Sequence, residues 1–226
     1  GDKMLKWYIN GTEMSSKGIF IATGYSVTSA PINRTVYSGG CASYVATKAK
    51  IGLKKLKLPL RIIQDTTEKA DSTRSWALSL CFGSEVDIAL PNGNRYVAAL
   101  TNAGETTKLD EGVLEFAVEF TGYQRGEKVE AQTPDVMCFS TVPETPYKIT
   151  GTVPAAGDFT MAGVTFTKCD VGDVICIDGL AGKLTKNGDA VLIADTDFVS
   201  FPVLSPGHNT VNCTANATVE YYPIFM

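Results

Sequence analysis

The stretch Lys55-Leu56-Lys57-Leu58-Pro59-Leu60-Arg61-Ile62 decides how this chain reads, because its aliphatic residues hold every even position and its charges, with Pro59, every odd one. A strand turns successive side chains to opposite faces, so this run buries one face and leaves the other cationic and wet. Proline cannot donate to a central ladder, which predicts an edge strand or a bulge at Pro59. Charged, proline-bearing edges resist indiscriminate pairing yet can be kept for a specific partner. Further along, Leu114-Glu115-Phe116-Ala117-Val118-Glu119-Phe120 alternates again, with glutamates on the polar side.

Working outward, Trp7-Tyr8-Ile9 runs into the turn pair Asn10-Gly11, and Gly18-Ile19-Phe20-Ile21-Ala22 reads as a second strand. Ala30-Pro31-Ile32-Asn33 carries turn residues, and Ser38-Gly39-Gly40 reads as a loose segment. One helix is expected: Asp65 and Glu68 have capping-box spacing, Ala70, Thr73, Ala77 and Leu80 recur at helical spacing, and Gly83 offers a stop. Trp76 on that helix is expected to pack into the core. A hairpin follows, Val86–Leu90 and Arg95–Leu100, with Asn92-Gly93 expected to supply the positive φ angles of its turn.

Residues 131–136 are polar, contain Pro134 and coincide with a shift in charge, so the expected domains are 1–134 and 135–226. Residues 1–135 hold 16 basic and 15 acidic side chains, and 136–226 hold 4 and 9. That acidic bias argues against tight nucleic-acid binding. After the boundary, Val174-Ile175-Cys176-Ile177, Ala190-Val191-Leu192-Ile193 and Val219-Glu220-Tyr221 read as short strands. Turns at Lys186-Asn187-Gly188-Asp189 and Ser205-Pro206-Gly207 punctuate them, a spacing that predicts a β-sandwich. No apolar run reaches the roughly 18 residues a membrane span needs, so membrane insertion is not expected.

Chemistry is sparse. The single histidine, His208, sits in a turn-like stretch without an activated serine, and there is neither a phosphate loop nor GxGxxG. The six cysteines form no CxxC and are expected to be reduced and structural. Asp170, Asp173, Asp178, Asp195 and Asp197 cluster in sequence; such oxygens can build a Ca²⁺ site or a glycosidase pair, but the spacing fits no EF-hand loop and acidic residues filling turns are expected instead. No catalytic residue, cofactor or metal is therefore expected. Sugar recognition needs an aromatic platform, and since residues 136–226 lack tryptophan and arginine, Tyr147 and Tyr221 are the candidates, with Tyr222 beside them.

Gly172-Asp173-Val174-Ile175-Cys176-Ile177-Asp178-Gly179 with Lys186-Asn187-Gly188, then Phe201-Pro202-Val203-Leu204-Ser205-Pro206-Gly207-His208-Asn209-Thr210-Val211 and the closing Val219-Glu220-Tyr221-Tyr222-Pro223, resemble the C-terminal domain of siphophage distal tail proteins. The opening Asn10-Gly11 strand, Ser29-Ala30-Pro31, the basic strand, the Trp76 helix and the Asn92-Gly93 hairpin follow that family's order. Ser38-Gly39-Gly40-Cys41 stands where the family often has a Pro-Gly-Arg-like turn. The resemblance implies a mainly β chain, an α+β tail-tube-like domain with one helix followed by a galectin-like or carbohydrate-module-like β-sandwich. It further implies a non-enzymatic hub of the tail tip or baseplate, assembled in the bacterial host cytoplasm into the virion tail. There a homo-hexameric ring would contact the tail-tube protein, the tape-measure protein and tail-lysin, fibre or receptor-binding proteins, with DNA only passing through. Within that frame Glu115 and Glu119 are expected either to line the lumen or to pair across strands with Lys55, Lys57 or Arg61. The alternatives are a glycan-binding module using Tyr147 and Tyr221, and a tail-tube subunit.

Overall fold

A computed structural model describes residues 5–33, 35–39, 43–46, 50–191 and 193–226. The fold is mainly β, and one α-helix, Thr67–Ser79, stands among the described residues. The chain divides into two compact units, Gly1–Arg125 with Met226, and Gly126–Phe225. The division precedes the polar segment 131–136 because strand Val129–Gln132 already pairs with Ala217–Tyr221, Val129 opposite Tyr221.

In the first unit the sheet runs Thr12–Glu13, Tyr8–Ile9, Val86–Ala89, Arg95–Ala103, Val113–Arg125, Lys54–Ile63, and then Ile19–Ile21 with Ser26–Thr28 along one flank. Strand Lys54–Ile63 is thus flanked on both sides, which corrects the expectation of an edge. Pro59 is tolerated because it falls where the flanking strand breaks: Ile21 lies opposite Leu60 and Ser26 opposite Lys57. There the Pro59 carbonyl accepts from the Ala22 amide at 2.8 Å, and no donor is required of it.

Leu56, Leu58, Leu60 and Ile62 face inward beside Leu114, Phe116, Val118 and Phe120, all buried. Each such side chain contributes about 1.5–3 kcal/mol relative to exposure. The helix packs on this layer through Ala70 and Ala77, with the Arg74 guanidinium 5.1 Å from the Phe116 ring centre. Its N-cap is Thr66, whose hydroxyl accepts from the Lys69 amide at 3.3 Å, while Asp65 pairs with Lys69 Nζ at 2.8 Å. Trp76 is 37% exposed, against expectation; the buried indole is Trp7, donating to the Ile19 carbonyl at 2.9 Å. Two small alanines bring the helix close to the sheet, and Trp76 falls outside that contact line.

Turn chemistry separates two hairpins with similar sequence. At Asn10-Gly11 both residues have positive φ, 48° and 76°, the two-residue turn that matches strand twist. At Pro91-Asn92-Gly93 only Gly93 is positive, at 86°. Pro91 fixes an ordinary turn, closed by the Gly93 amide on the Leu90 carbonyl at 3.0 Å, and Gly93 forms the bulge after it.

Between Ser26 and Ile63 the described residues pair antiparallel, rung by rung. Thr28 lies opposite Lys55, Ile32 opposite Ile51, and Val36–Gly39 pairs with Ser43–Ala46. Ser38-Gly39 therefore belongs to a strand, while Gly40 and Cys41 lie outside the described residues. From Ile32 to Ile51 the rungs pair only with each other among the described residues.

In the second unit the main sheet runs Val129–Gln132, Ala217–Tyr221, Thr145–Thr152, Val174–Asp178, Lys183–Lys186 and Asp189–Ala190. Two further pairs, Asp135–Cys138 with Gly207–Thr210 and Gly157–Met161 with Val164–Cys169, share its core. Ile149, Ile175, Ile177 and Val219 from the sheet meet Val136, Phe159, Met161 and Phe166 from those pairs. Asn187 and Gly188, both at positive φ, close the expected turn. The strand expected over 190–193 ends at Ala190; Ile193–Asp195 is a short 3-10 turn, and Leu192 lies outside the described residues. His208 sits on a strand, opposite Met137, with Nε2 3.4 Å from Asp135 Oδ1.

Candidate assembly surface

The charged face of the central sheet is set by register. Lys54–Ile63 and Val113–Arg125 are antiparallel, which places Arg61 opposite Glu115, Lys57 opposite Glu119 and Lys55 opposite Thr121. Arg61 Nε donates to Glu115 Oε1 at 2.6 Å, its Nη2 reaches the same oxygen, and Lys57 Nζ lies 3.2 Å from Glu119 Oε1. All four side chains stay partly in water, between 32% and 57% exposed. Each glutamate thus stands beside a cation, as opposite charges do when they share a rung. The face is a stripe of paired charges, with Lys55 adding a further positive charge.

Beside this stripe the outer ribbon, Ile32–Ile51, leaves its main-chain edges without a strand partner among the described residues, and Ile32 is 70% exposed. An isolated two-stranded ribbon is marginal in water, and an open edge is a template for another chain.

In the second unit Tyr147 and Tyr221 are core, while Tyr222 is half-buried. Tyr147 is 2% and Tyr221 0% exposed, so neither ring can stack on a sugar, which corrects the glycan-platform expectation. Burial pushes the Tyr147 phenol up to about 12, and burial also raises that of Tyr221. The Tyr221 hydroxyl donates to the Met137 carbonyl at 2.6 Å and accepts from the Phe139 amide at 3.2 Å. Asn209 is equally structural: its Oδ1 accepts from the Ser205 amide at 2.9 Å, and its Nδ2 donates to the carbonyls of Ser205 and Gly207 at 2.8 and 2.9 Å. The phrase from Phe201 to Val211 and the closing Val219–Pro223 therefore mark a pinned turn and a buried tyrosine.

The acidic residues are held by their own loops. Asp173 takes Lys186 Nζ at 2.8 Å, the Asp170 amide at 2.8 Å and Asn187 Nδ2 at 2.7 Å, and these bonds, the lysine's above all, hold its carboxyl down to about 2. Asp178 accepts from the amides of Leu180 and Ala181, Asp197 from that of Thr165, and Asp195 pairs with Lys168 at 2.8 Å. No group of three metal-ligating side chains occurs among the described residues. No helix among them is long and apolar enough to cross a membrane.

Two surface features escaped the sequence reading. An apolar groove of about 760 Å³ is lined by Leu5, Phe20, Ile21, Tyr25, Ile63 and Pro91, and a cleft of about 640 Å³ adjoins Trp76. Both are built from residues distant in sequence, which no local pattern connects.

This architecture is one seen in phage tail adsorption devices. The SPP1 Dit protein (gp 19.1), described as a paradigm of the hub adsorption apparatus in phages infecting Gram-positive hosts, superposes with a TM-score of 0.66 at 14% identity, over 98% of this chain and 99% of that one. Chains of the phage P2 baseplate in its activated conformation match with TM-scores of 0.58 (Ca) and 0.55 (Sr), at 10% and 9% identity. These cover 96% and 95% of this chain and 97% of each of the others. No family model matches the sequence, and no curated protein does either. The chain shares the fold of SPP1 Dit.

Proposed function

We propose that this chain is a structural hub of a phage or prophage tail tip, forming a homo-hexameric ring that joins the tail tube to adsorption proteins. The observation that carries the reading is the ribbon between Ile32 and Ile51, whose edges have no strand partner among the described residues and whose exposed Ile32 calls for a second chain. A neighbouring copy supplies one at every position of a closed ring. The end-to-end fold match to a phage hub protein supports the same role.

In this reading the paired stripe of Lys57, Arg61, Glu115 and Glu119, with Lys55, lines the lumen or the contact with the next copy. DNA passes without being held, because each glutamate balances its cation and leaves little net charge to grip phosphate. The tail-tube and tape-measure proteins on one side, and tail-lysin, fibre or receptor-binding proteins on the other, are its partners, and the virion tail its location after assembly in the host cytoplasm.

The test is native mass spectrometry of the full chain over a concentration series, beside a variant with residues 32–51 replaced by a short Gly-Ser turn. Six copies of 24.1 kDa give a species near 145 kDa. That species should dominate for the full chain and vanish for the variant, whose monomer stays folded by circular dichroism. A hexamer unaffected by the replacement would remove the ribbon from the assembly. Open-ended growth into tubes would favour a tail-tube subunit instead.

A further inference from the structure

The chain has two tryptophans, and only one is hidden: Trp7 is fully buried, whereas Trp76 is 37% exposed beside an open cleft of about 640 Å³. Ser16, Gln64, Ser72 and Thr73 add polar groups to its walls. Ser72 and Thr73 precede Trp76 by four and three residues, so the helix brings both hydroxyls to the indole's own face. Gln64 also lines the cleft, its amide fixed by donating from Nε2 to the Lys17 carbonyl at 2.8 Å. Its oxygen accepts nothing among the described residues and keeps full acceptor capacity. Lys17 is the single charge on the cleft, and Ile63 the single aliphatic side chain.

We infer that this cleft is a binding site for a neutral oligosaccharide, with Trp76 as its stacking platform. A flat indole offers a π-face to the C–H face of a pyranose, while neighbouring hydroxyl and amide groups match the sugar's alternating donors and acceptors. An anionic ligand would find one cation only, and an apolar peptide one aliphatic contact. The site is built entirely from residues of the first unit.

The two indoles make the test clean. Titrating the full chain with pyranose trisaccharides (glucose, galactose, N-acetylglucosamine and N-acetylgalactosamine series) should blue-shift emission and protect it from acrylamide, because Trp76 alone meets solvent. Trp76→Ala should abolish binding followed by calorimetry, and Gln64→Ala should weaken it roughly tenfold. Both should remain folded at the assay temperature, as circular dichroism reads it. If no trisaccharide protects Trp76, or if Trp76→Ala binds as tightly as wild type, the inference fails. Protection that appears on self-association alone, without sugar, would make the cleft a protein contact and overturn it equally.

Discussion

Replacing Tyr221 with phenylalanine removes one oxygen from a fully buried ring and should cost far more than its size suggests. That oxygen donates to the Met137 carbonyl at 2.6 Å and accepts from the Phe139 amide at 3.2 Å, tying strand Ala217–Tyr221 to strand Asp135–Cys138 and the residue after it. Phenylalanine keeps the packing but strands a carbonyl and an amide, each worth about 1–3 kcal/mol when left unpaired beneath a side chain. Taking about 2 kcal/mol, a unit the size of Gly126–Phe225 should melt about 8–16 °C lower. Tyr147→Phe is the internal control: its ring is 2% exposed, yet its hydroxyl has no hydrogen bond among the described residues. That variant should stay within about 0.5 kcal/mol of wild type. Differential scanning calorimetry and urea midpoints on the full chain read both. Equal effects for the two variants would refute the claim that the closing Val219–Pro223 segment is a hydrogen-bonded clasp.

Arg61→Ala, Glu115→Ala and the double variant should give a coupling energy of about 0.5–1 kcal/mol by urea denaturation, since the pair is half in water; zero coupling would dissolve the charge stripe. Thr66→Ala should lower stability by about 1 kcal/mol through loss of the helix N-cap, and Thr66→Asp should restore it in the same assay. Asp173 has a folded pKa of about 2, below its ordinary 3.8. Its ionised form therefore stabilises the fold above about pH 4, and that contribution is lost as pH falls towards 2. Melting temperatures from pH 5 to 2 should fall less steeply for Asp173→Asn than for wild type, and parallel curves would contradict the assignment. Reversing Glu115 and Glu119 to lysine should impair DNA delivery by reassembled particles if the stripe lines the channel, and full infectivity would exclude it.

What the sequence disclosed was mostly local. Alternation at Leu56–Ile62 and Leu114–Phe120 marked both central strands and their inward faces, because a half-buried strand writes its period directly into residue choice. Asn10-Gly11 and Asn187-Gly188 announced their turns for an equally local reason, the need for positive φ. Pro59 misled, since a gap in a neighbouring strand is set by Thr23-Gly24-Tyr25, far from the proline in sequence. Trp76 and Tyr221 exchanged expected places: close packing of the helix through Ala70 and Ala77 left Trp76 outside its contact line, while Tyr221 fills the second unit's core with its hydroxyl held by Met137 and Phe139. Cross-strand pairing of Glu115 and Glu119 was foreseen as one of two possibilities, and only register could choose its partners. The Trp76 cleft joins residues 17, 64 and 76, a juxtaposition that exists only after folding.

Single-particle electron microscopy of the purified full chain addresses ring assembly most directly. Hub assembly through the ribbon predicts class averages of a closed sixfold ring around an open central channel, with each copy's Ile32–Ile51 ribbon laid against its neighbour. Isolated two-unit particles at every concentration, or helical filaments without closure, would contradict it.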